Sequence, residues 1–143
     1  MRIDKLTLAA LEATLRLYRD PEKAVQTIPT LSMLTIPVSV MAAKAEKLCA
    51  MLDELKEDRL EAGVRDITSR VGGGALPIMD LPSKGVGIEV RGMSANAIEK
   101  RMRIADRPVI GRIEDDVFVM DLRTVAEDEL AVVSDAIRNI LMD

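Results

Sequence analysis

Few side chains in this chain could carry chemistry. It has no histidine, the residue used most often as a general base near neutral pH and the commonest metal ligand, and a single cysteine, Cys49. A zinc or iron–sulfur centre needs several such ligands, so the composition argues against a metal site. One Phe, one Tyr and no Trp cannot build a stacking platform for single-stranded nucleic acid. Cys49 lies in a helical pattern beside Leu48 and Leu52, which predicts a buried, inert thiol and allows no disulfide within the chain. Taken alone, these residues describe a domain poor in catalytic equipment.

A second feature is backbone rather than side chain. Residues 71–83 hold Gly72-Gly73-Gly74, Pro77 and Pro82 between two strand-like runs. Consecutive glycines reach φ > 0 and let the backbone approach another surface closely, at a cost in conformational entropy. The stretch therefore reads as a shaped loop, or as a long irregular crossover inside an α+β domain.

The elements that must position these residues are legible from period and punctuation. Asp4 caps a helix with Leu8, Leu11, Leu15 and Tyr18 on one stripe facing a core, stopped at Asp20-Pro21. Asp20 caps a short helix that starts on Pro21 and runs to about Gln26. Thr27 to Pro37, punctuated by Pro29 and Pro37, reads as an extended connection. The next helix has a seam of Met41, Ala45, Leu48, Leu52 and Leu55 opposite Lys44, Lys47 and Lys56.

From Leu60 the period becomes two. Leu60, Ala62 and Val64 alternate, then Ile67, Ser69 and Val71 on the other parity, so a bulge or bend is expected at Arg65-Asp66. Val86, Ile88 and Val90 alternate with Gly85, Gly87 and Glu89. Ser94 caps a helix with Ala97, Ile98 and Met102 inward, ended by Arg107-Pro108. Val109 to Ile113 and Val117 to Leu122 form a hairpin around Glu114-Asp115-Asp116. Thr124 to Glu127 reads as a capping box for a last helix with Leu130, Val133, Ile137 and Leu141 buried. The expected class is α+β: about four strands, antiparallel or mixed, with helices packed on one face.

Length and balance agree with a single modest domain. The chain has 143 residues, 48% of them hydrophobic and 31% charged, with a net charge of −4 and no basic block, so strong nonspecific binding to DNA or RNA is not expected. No apolar run approaches the roughly 20 residues needed to span a bilayer, and no signal-like segment opens the chain. A cytoplasmic location is the default expectation.

Three stretches carry a resemblance. They are residues 2–15 from Arg2-Ile3-Asp4-Lys5 onward, Gly72 to Pro77 with Leu81-Pro82-Ser83, and Pro108 to Ile113 with Asp121 to Val125. In this order and spacing they resemble the C-terminal part of the bacterial selenocysteine synthases, the L-seryl-tRNA(Sec) selenium transferases. The resemblance runs through essentially the whole chain. Ser32 stands where the family pattern suggests a basic residue, and Ala75 where serine is common.

The resemblance implies the small C-terminal domain of a pyridoxal-phosphate enzyme of the aspartate-aminotransferase fold (residues 37–143), preceded by a linker helix and connection from a large domain (residues 1–36). It implies a parent transferase that converts seryl-tRNA(Sec) to selenocysteyl-tRNA(Sec) with selenophosphate and assembles into ring-like homo-oligomers. Asp4-Lys5-Leu6 echoes the family's cofactor-lysine motif, but Leu6-Thr7-Leu8-Ala9 follows without glycine, so Lys5 is not expected to form the imine. The cofactor lysine is expected upstream of Met1, and this chain by itself is expected to hold no catalytic or cofactor-binding residue, to bind no pyridoxal phosphate and to be inactive.

Arg2 matches an arginine that in the family faces the anionic selenium donor. Arg112 and Arg123 occupy the part of the fold where related enzymes hold a substrate carboxylate, although in seryl-tRNA that group is an ester. Both are substrate-binding candidates, and salt bridges to Asp115, Asp116 or Asp121 are the alternative use of the two. Two other readings of the whole chain stay open: part of a related pyridoxal-phosphate lyase that does not act on tRNA, and a free-standing non-catalytic α+β interaction module.

Overall fold

The computed structural model describes residues 2–72 and 80–142. The expectation of a shaped glycine loop falls mostly on residues 73–79, which lie outside the described residues. The chain divides into two compact units, residues 1–36 and 37–143.

The first unit holds α1 (Lys5–Leu17), α2 (Pro21–Thr27) and α3 (Pro29–Thr35). Asp4 caps α1: its Oδ1 accepts from the N–H groups of Leu6 and Thr7 at 2.9 and 3.0 Å. The Thr7 hydroxyl and N–H hold the Asp4 carboxyl below its ordinary value. Asp20 caps α2 through Lys23 N at 3.1 Å, with Pro21 in the first turn. The connection expected to be extended is instead α3. Pro29 begins it as Pro21 begins α2, in a position where a missing N–H costs nothing and the ring presets φ. The two prolines at 29 and 37 thus bound a helix, and Thr35 Oγ1 closes its last turn on Leu31 O at 2.8 Å. The stripe on α1 also departs from expectation. No residue of α1 is buried, and Leu8, Leu11 and Leu15 are about half exposed.

The second unit runs α4 (Val38–Asp53), β1 (Leu60–Arg70), β2 (Asp80–Val90), α5 (Ala95–Arg103), β3 (Arg112–Glu114), β4 (Val117–Asp121) and, after one 3-10 turn, α6 (Leu130–Met142). The strands form one antiparallel sheet in the order β1-β2-β4-β3. No bulge interrupts β1: it pairs with β2 residue by residue from Leu60↔Val90 to Arg70↔Asp80. The parity switch has another cause. The first half of β1 puts Leu60 and Ala62 on the face shared with Val86, Ile88, Val90, Phe118 and Met120. The second half buries Ile67 and Ser69 on the opposite face.

Val86, Ile88, Phe118 and Met120 are at most 1% exposed, as are Leu48, Leu52, Ile98, Met102 and Ile137 of the helices. Each such side chain contributes about 1.5–3 kcal/mol by leaving water. These residues form the core between the sheet and the stripes of α4, α5 and α6. On the other face Ile67 gathers with Val117 and Val119. Gly85 and Gly87 make this possible, because Ile67 and Arg65 lie across them where a β-carbon would stand.

The hairpin between β3 and β4 is shorter than expected and turns on Asp115 and Asp116 at φ of 50° and 61°. Two successive left-handed residues are the signature of the type I′ turn, whose twist matches that of its strands. The cap of the last helix lies later than the sequence suggests. Thr124 Oγ1 bonds Asp121 O at 3.4 Å instead of a downstream N–H, and Glu129 reaches back to Ala126 N at 2.8 Å.

Gly111 packs under Phe118: a β-carbon there would lie 2.6 Å from the ring and 2.7 Å from Val119 O. Gly111→Ala is therefore expected to cost about 1–3 kcal/mol. Gly63→Ala, where a β-carbon meets nothing within 4 Å, should stay within about 0.5 kcal/mol of the parent. Urea titrations of the two variants check this, and equal midpoints would mean that the Phe118 ring yields without cost.

Candidate functional site

The ladder between β2 and β4 spans only Gly85↔Asp121 to Ile88↔Phe118. Beyond it the β1–β2 ribbon continues to Arg70↔Asp80 without a backbone partner on β4. The last ladder residue, Asp121, bridges that gap with its side chain. Its carboxylate accepts from the Ser69 hydroxyl, from Ser83 Oγ at 2.7 Å and from Arg123 N at 3.0 Å. Arg112 Nη1 stands 3.7 Å away. One carboxylate thus gathers groups from β1, β2, β3 and the chain leaving β4.

Both arginines singled out in the second unit converge here. Arg123 is 8% exposed, and its Nε donates to Ser69 Oγ at 3.2 Å and its Nη2 to Pro82 O at 2.6 Å. Arg112 Nε meets Glu114 Oε1 at 2.6 Å and its Nη2 donates to Thr68 O at 3.1 Å. Asp121 and Glu114, not Asp115 or Asp116, face Arg112; the latter two carry the hairpin turn. Arg112 keeps 37% of its side chain exposed, toward an open cleft of about 680 Å³ lined also by Asp66, Ile67, Thr68, Arg70 and Glu114. Arg2 is exposed and lies in the first unit, just before the α1 cap.

Lys44 is the residue that sequence reasoning misplaced. It was expected on the solvent face of α4 and is instead 6% exposed. Its Nζ donates to Leu122 O at 2.5 Å and Val125 O at 2.6 Å. The spacing carried the signal: position 44 is three residues after Met41 and four before Leu48, on the buried stripe itself. Desolvation lowers its pKa from 10.5, opposed by Glu127, Asp121 and Glu129. Lys47, its exposed neighbour, pairs with Glu127 at 2.6 Å. Cys49 is half-buried and free, and burial raises its thiol above the ordinary value, so it is a poor nucleophile at neutral pH.

Among the described residues no group of three or more His, Cys, Asp or Glu side chains could hold a metal, and no helix is long and apolar enough to cross a membrane. The fold and cluster define an α+β domain whose buried charges tie its own strands and helices together rather than face one another as nucleophile and base. Comparison with known proteins supplies the family. A family profile described as L-seryl-tRNA selenium transferase matches residues 1–126. The L-seryl-tRNA(Sec) selenium transferase of Solidesulfovibrio magneticus is 47% identical over 136 residues, covering 94% of this chain and 29% of that protein. Those of Geotalea daltonii and Nitratidesulfovibrio vulgaris are each 43% identical over 141 residues, covering 99% of this chain and 30% of theirs. The chain belongs to the L-seryl-tRNA selenium transferase family and spans about 30% of the length of these relatives.

Two outcomes follow from the cluster. Asp121→Ala removes the acceptor of two hydroxyls and of the Arg123 N–H, and takes from Arg112 one of the two carboxylates that face it. It is expected to cost about 2–4 kcal/mol in urea unfolding. The pH dependence assigns Lys44. Because its folded-state pKa is lowered, the unfolded chain binds more protons between that value and 10.5, and the contribution of Lys44 to stability rises with pH across that window. Lys44→Met lacks this rise, so the stability of the parent relative to the variant should increase with pH across that window. A difference flat with pH would show that Lys44 is as well solvated when folded as when unfolded.

Proposed function

We propose that this chain is the C-terminal, substrate-covering part of an enzyme that converts seryl-tRNA(Sec) to selenocysteyl-tRNA(Sec) with selenophosphate as donor. The observation that carries the reading is the family match along residues 1–126, together with relatives that this chain covers nearly end to end. The antiparallel sheet with helices on one face suits the small domain of a fold-type-I pyridoxal-phosphate enzyme, with residues 1–36 as the linker from a large domain.

Pyridoxal phosphate is the cofactor this reading implies, and it would supply an electron sink for loss of the serine hydroxyl and addition of selenium. The described residues do not fit it. Lys5 is exposed in the first turn of α1, and the Lys44 ammonium is held between two backbone carbonyls. In this reading the cofactor is bound elsewhere in the parent enzyme.

The chain's own contribution is charge and shape. Arg2 and Arg112 keep exposed guanidinium groups and are the proposed contacts for anionic oxygens of selenophosphate or the tRNA end. Arg123, buried against Ser69 and Pro82, acts on substrate only through the geometry it holds.

The test replaces the matching part of the Geotalea daltonii transferase with residues 1–143 and measures conversion of seryl-tRNA(Sec). Retained turnover is the expected result. A chimera that folds and assembles yet leaves seryl-tRNA(Sec) unchanged would defeat the proposal. In the active chimera Arg112→Ala should raise KM for selenophosphate or tRNA at least tenfold, and unchanged kinetics would confine Arg112 to its pairing with Glu114.

A further inference from the structure

The cleft in front of Arg112 holds as many carboxylates as guanidinium groups: Asp66 and Glu114 line it with Arg70 and Arg112. Each has a partner within the chain. Arg112 Nε meets Glu114 Oε1 at 2.6 Å, Arg70 Nε meets Asp80 Oδ1 at 3.0 Å and Asp66 Oδ1 meets Lys84 Nζ at 2.5 Å. The pairing uses only part of each group. Among the described residues no hydrogen bond engages Arg112 Nη1, either Nη of Arg70, Glu114 Oε2 or the hydroxyl of Thr68, which also lines the cleft. Arg112 and Glu114 stand two residues apart on one face of β3, with 37% and 43% of their side chains exposed, so a donor edge and an acceptor oxygen are offered side by side.

That combination discriminates between anions. A free phosphate or selenophosphate concentrates more than one negative charge on a few oxygens, and whichever of them meet the two guanidinium groups, the others lie against Glu114 and Asp66. A phosphodiester carries a single negative charge, and the ribose attached to it carries hydroxyl donors. Its oxygens match the guanidinium fork, and a carboxylate is the acceptor that dinucleotide-binding folds set against a ribose hydroxyl. Arg2 has no carboxylate partner among the described residues, so the polyanion suits Arg2 better than Arg112.

We infer that the cleft between β1 and β3 takes the ribose and phosphodiester of an RNA end: Arg112 Nη1 and Arg70 hold the phosphodiester oxygens, and Glu114 Oε2 accepts from a ribose hydroxyl. At about 680 Å³ the cleft lies in the size range of small-ligand sites, with room for one nucleotide. The assignment rests on the reading of a seryl-tRNA enzyme only for the identity of the RNA. The chemistry of the cleft is tested by binding, without turnover.

The 143-residue chain is titrated with cytidylyl-adenosine, a ribodinucleotide with one phosphodiester and a free 2′,3′-diol, while amide and guanidinium resonances are followed by NMR. Expected are saturable shifts at Thr68, Arg112 and Glu114, with the 2′-deoxy dinucleotide about fivefold weaker. Inorganic phosphate at equal concentration should leave these resonances in place. Arg112→Ala should weaken both dinucleotides about tenfold. Glu114→Gln keeps the shape of the side chain and should act in opposite directions: the ribodinucleotide falls to the level of its deoxy counterpart, and inorganic phosphate binds more tightly than to the parent. No saturable shift at these residues, shifts from inorganic phosphate as large as those from the dinucleotide, equal affinity for the ribose and deoxyribose forms, or a Glu114→Gln variant that keeps the ribose preference overturns the inference. An active chimera beside any of those results strikes the cleft assignment alone, whereas an inactive chimera beside an intact ribose preference strikes the transferase reading alone.

Discussion

The second unit depends on one carboxylate. Asp121 sits at the point where the backbone ladder between β2 and β4 stops, and the ribbon of β1 and β2 runs on past it. One more backbone bond, Leu122 N to Lys84 O at 3.0 Å, reaches the start of that overhang, and none reaches Ser83 or Ser69 from β4. Asp121 does so by accepting from Ser69 and Ser83 of the two ribbon strands while holding Arg123 N and facing Arg112. Hydrogen bonds to a charged acceptor are each worth about 1.5–3 kcal/mol, but removing the carboxylate from water costs several kcal/mol in return. The net stabilisation is thus modest, and the larger consequence is geometric: a three-strand junction with one low-energy arrangement.

Lys44 extends that junction into the helical layer. Its ammonium is anchored on the carbonyls of Leu122 and Val125, while Leu122 N donates to Lys84 O at 3.0 Å. The segment leaving β4 is therefore fixed from α4 on one side and from β2 on the other. A leucine at position 44 would suit the apolar stripe but leave two carbonyls short of a donor. The lysine exchanges desolvation for that satisfaction, which is why its proton is held less tightly than in water.

The regular elements were legible because their signals are local. Asp4, Asp20 and Ser94 each cap the expected helix, and Met41, Ala45, Leu48 and Leu52 form the buried seam of α4. The departures arose where a local signal has two meanings. Pro29 can break a helix or begin one, and the number of residues before Pro37 leaves room for the latter. The parity change in β1 signifies a bulge when one face is buried, but two half-buried faces give the same pattern without one. The junction was only partly visible. Arg112 and Arg123 could be named through the family resemblance, with Asp121 as one of three possible partners, whereas the role of Ser69 and Ser83 follows from where the β2–β4 ladder ends.

For the proposed transferase, the property of this domain that matters is where its charges point. Buried ionic groups that satisfy one another give rigidity, and a rigid small domain can hold a few exposed guanidinium groups at fixed separation from whatever it covers. Arg112 has both properties, since Glu114, Thr68 O and Asp121 fix its direction while over a third of its side chain stays open to the cleft. A lysine at that position could keep the charge but, as a single compact donor group, would not reach Glu114 and Thr68 O from separate edges of a planar fork as Nε and Nη2 do. The precision with which this part of the chain presents charge is thus set by the same Asp121 junction that closes the end of its sheet.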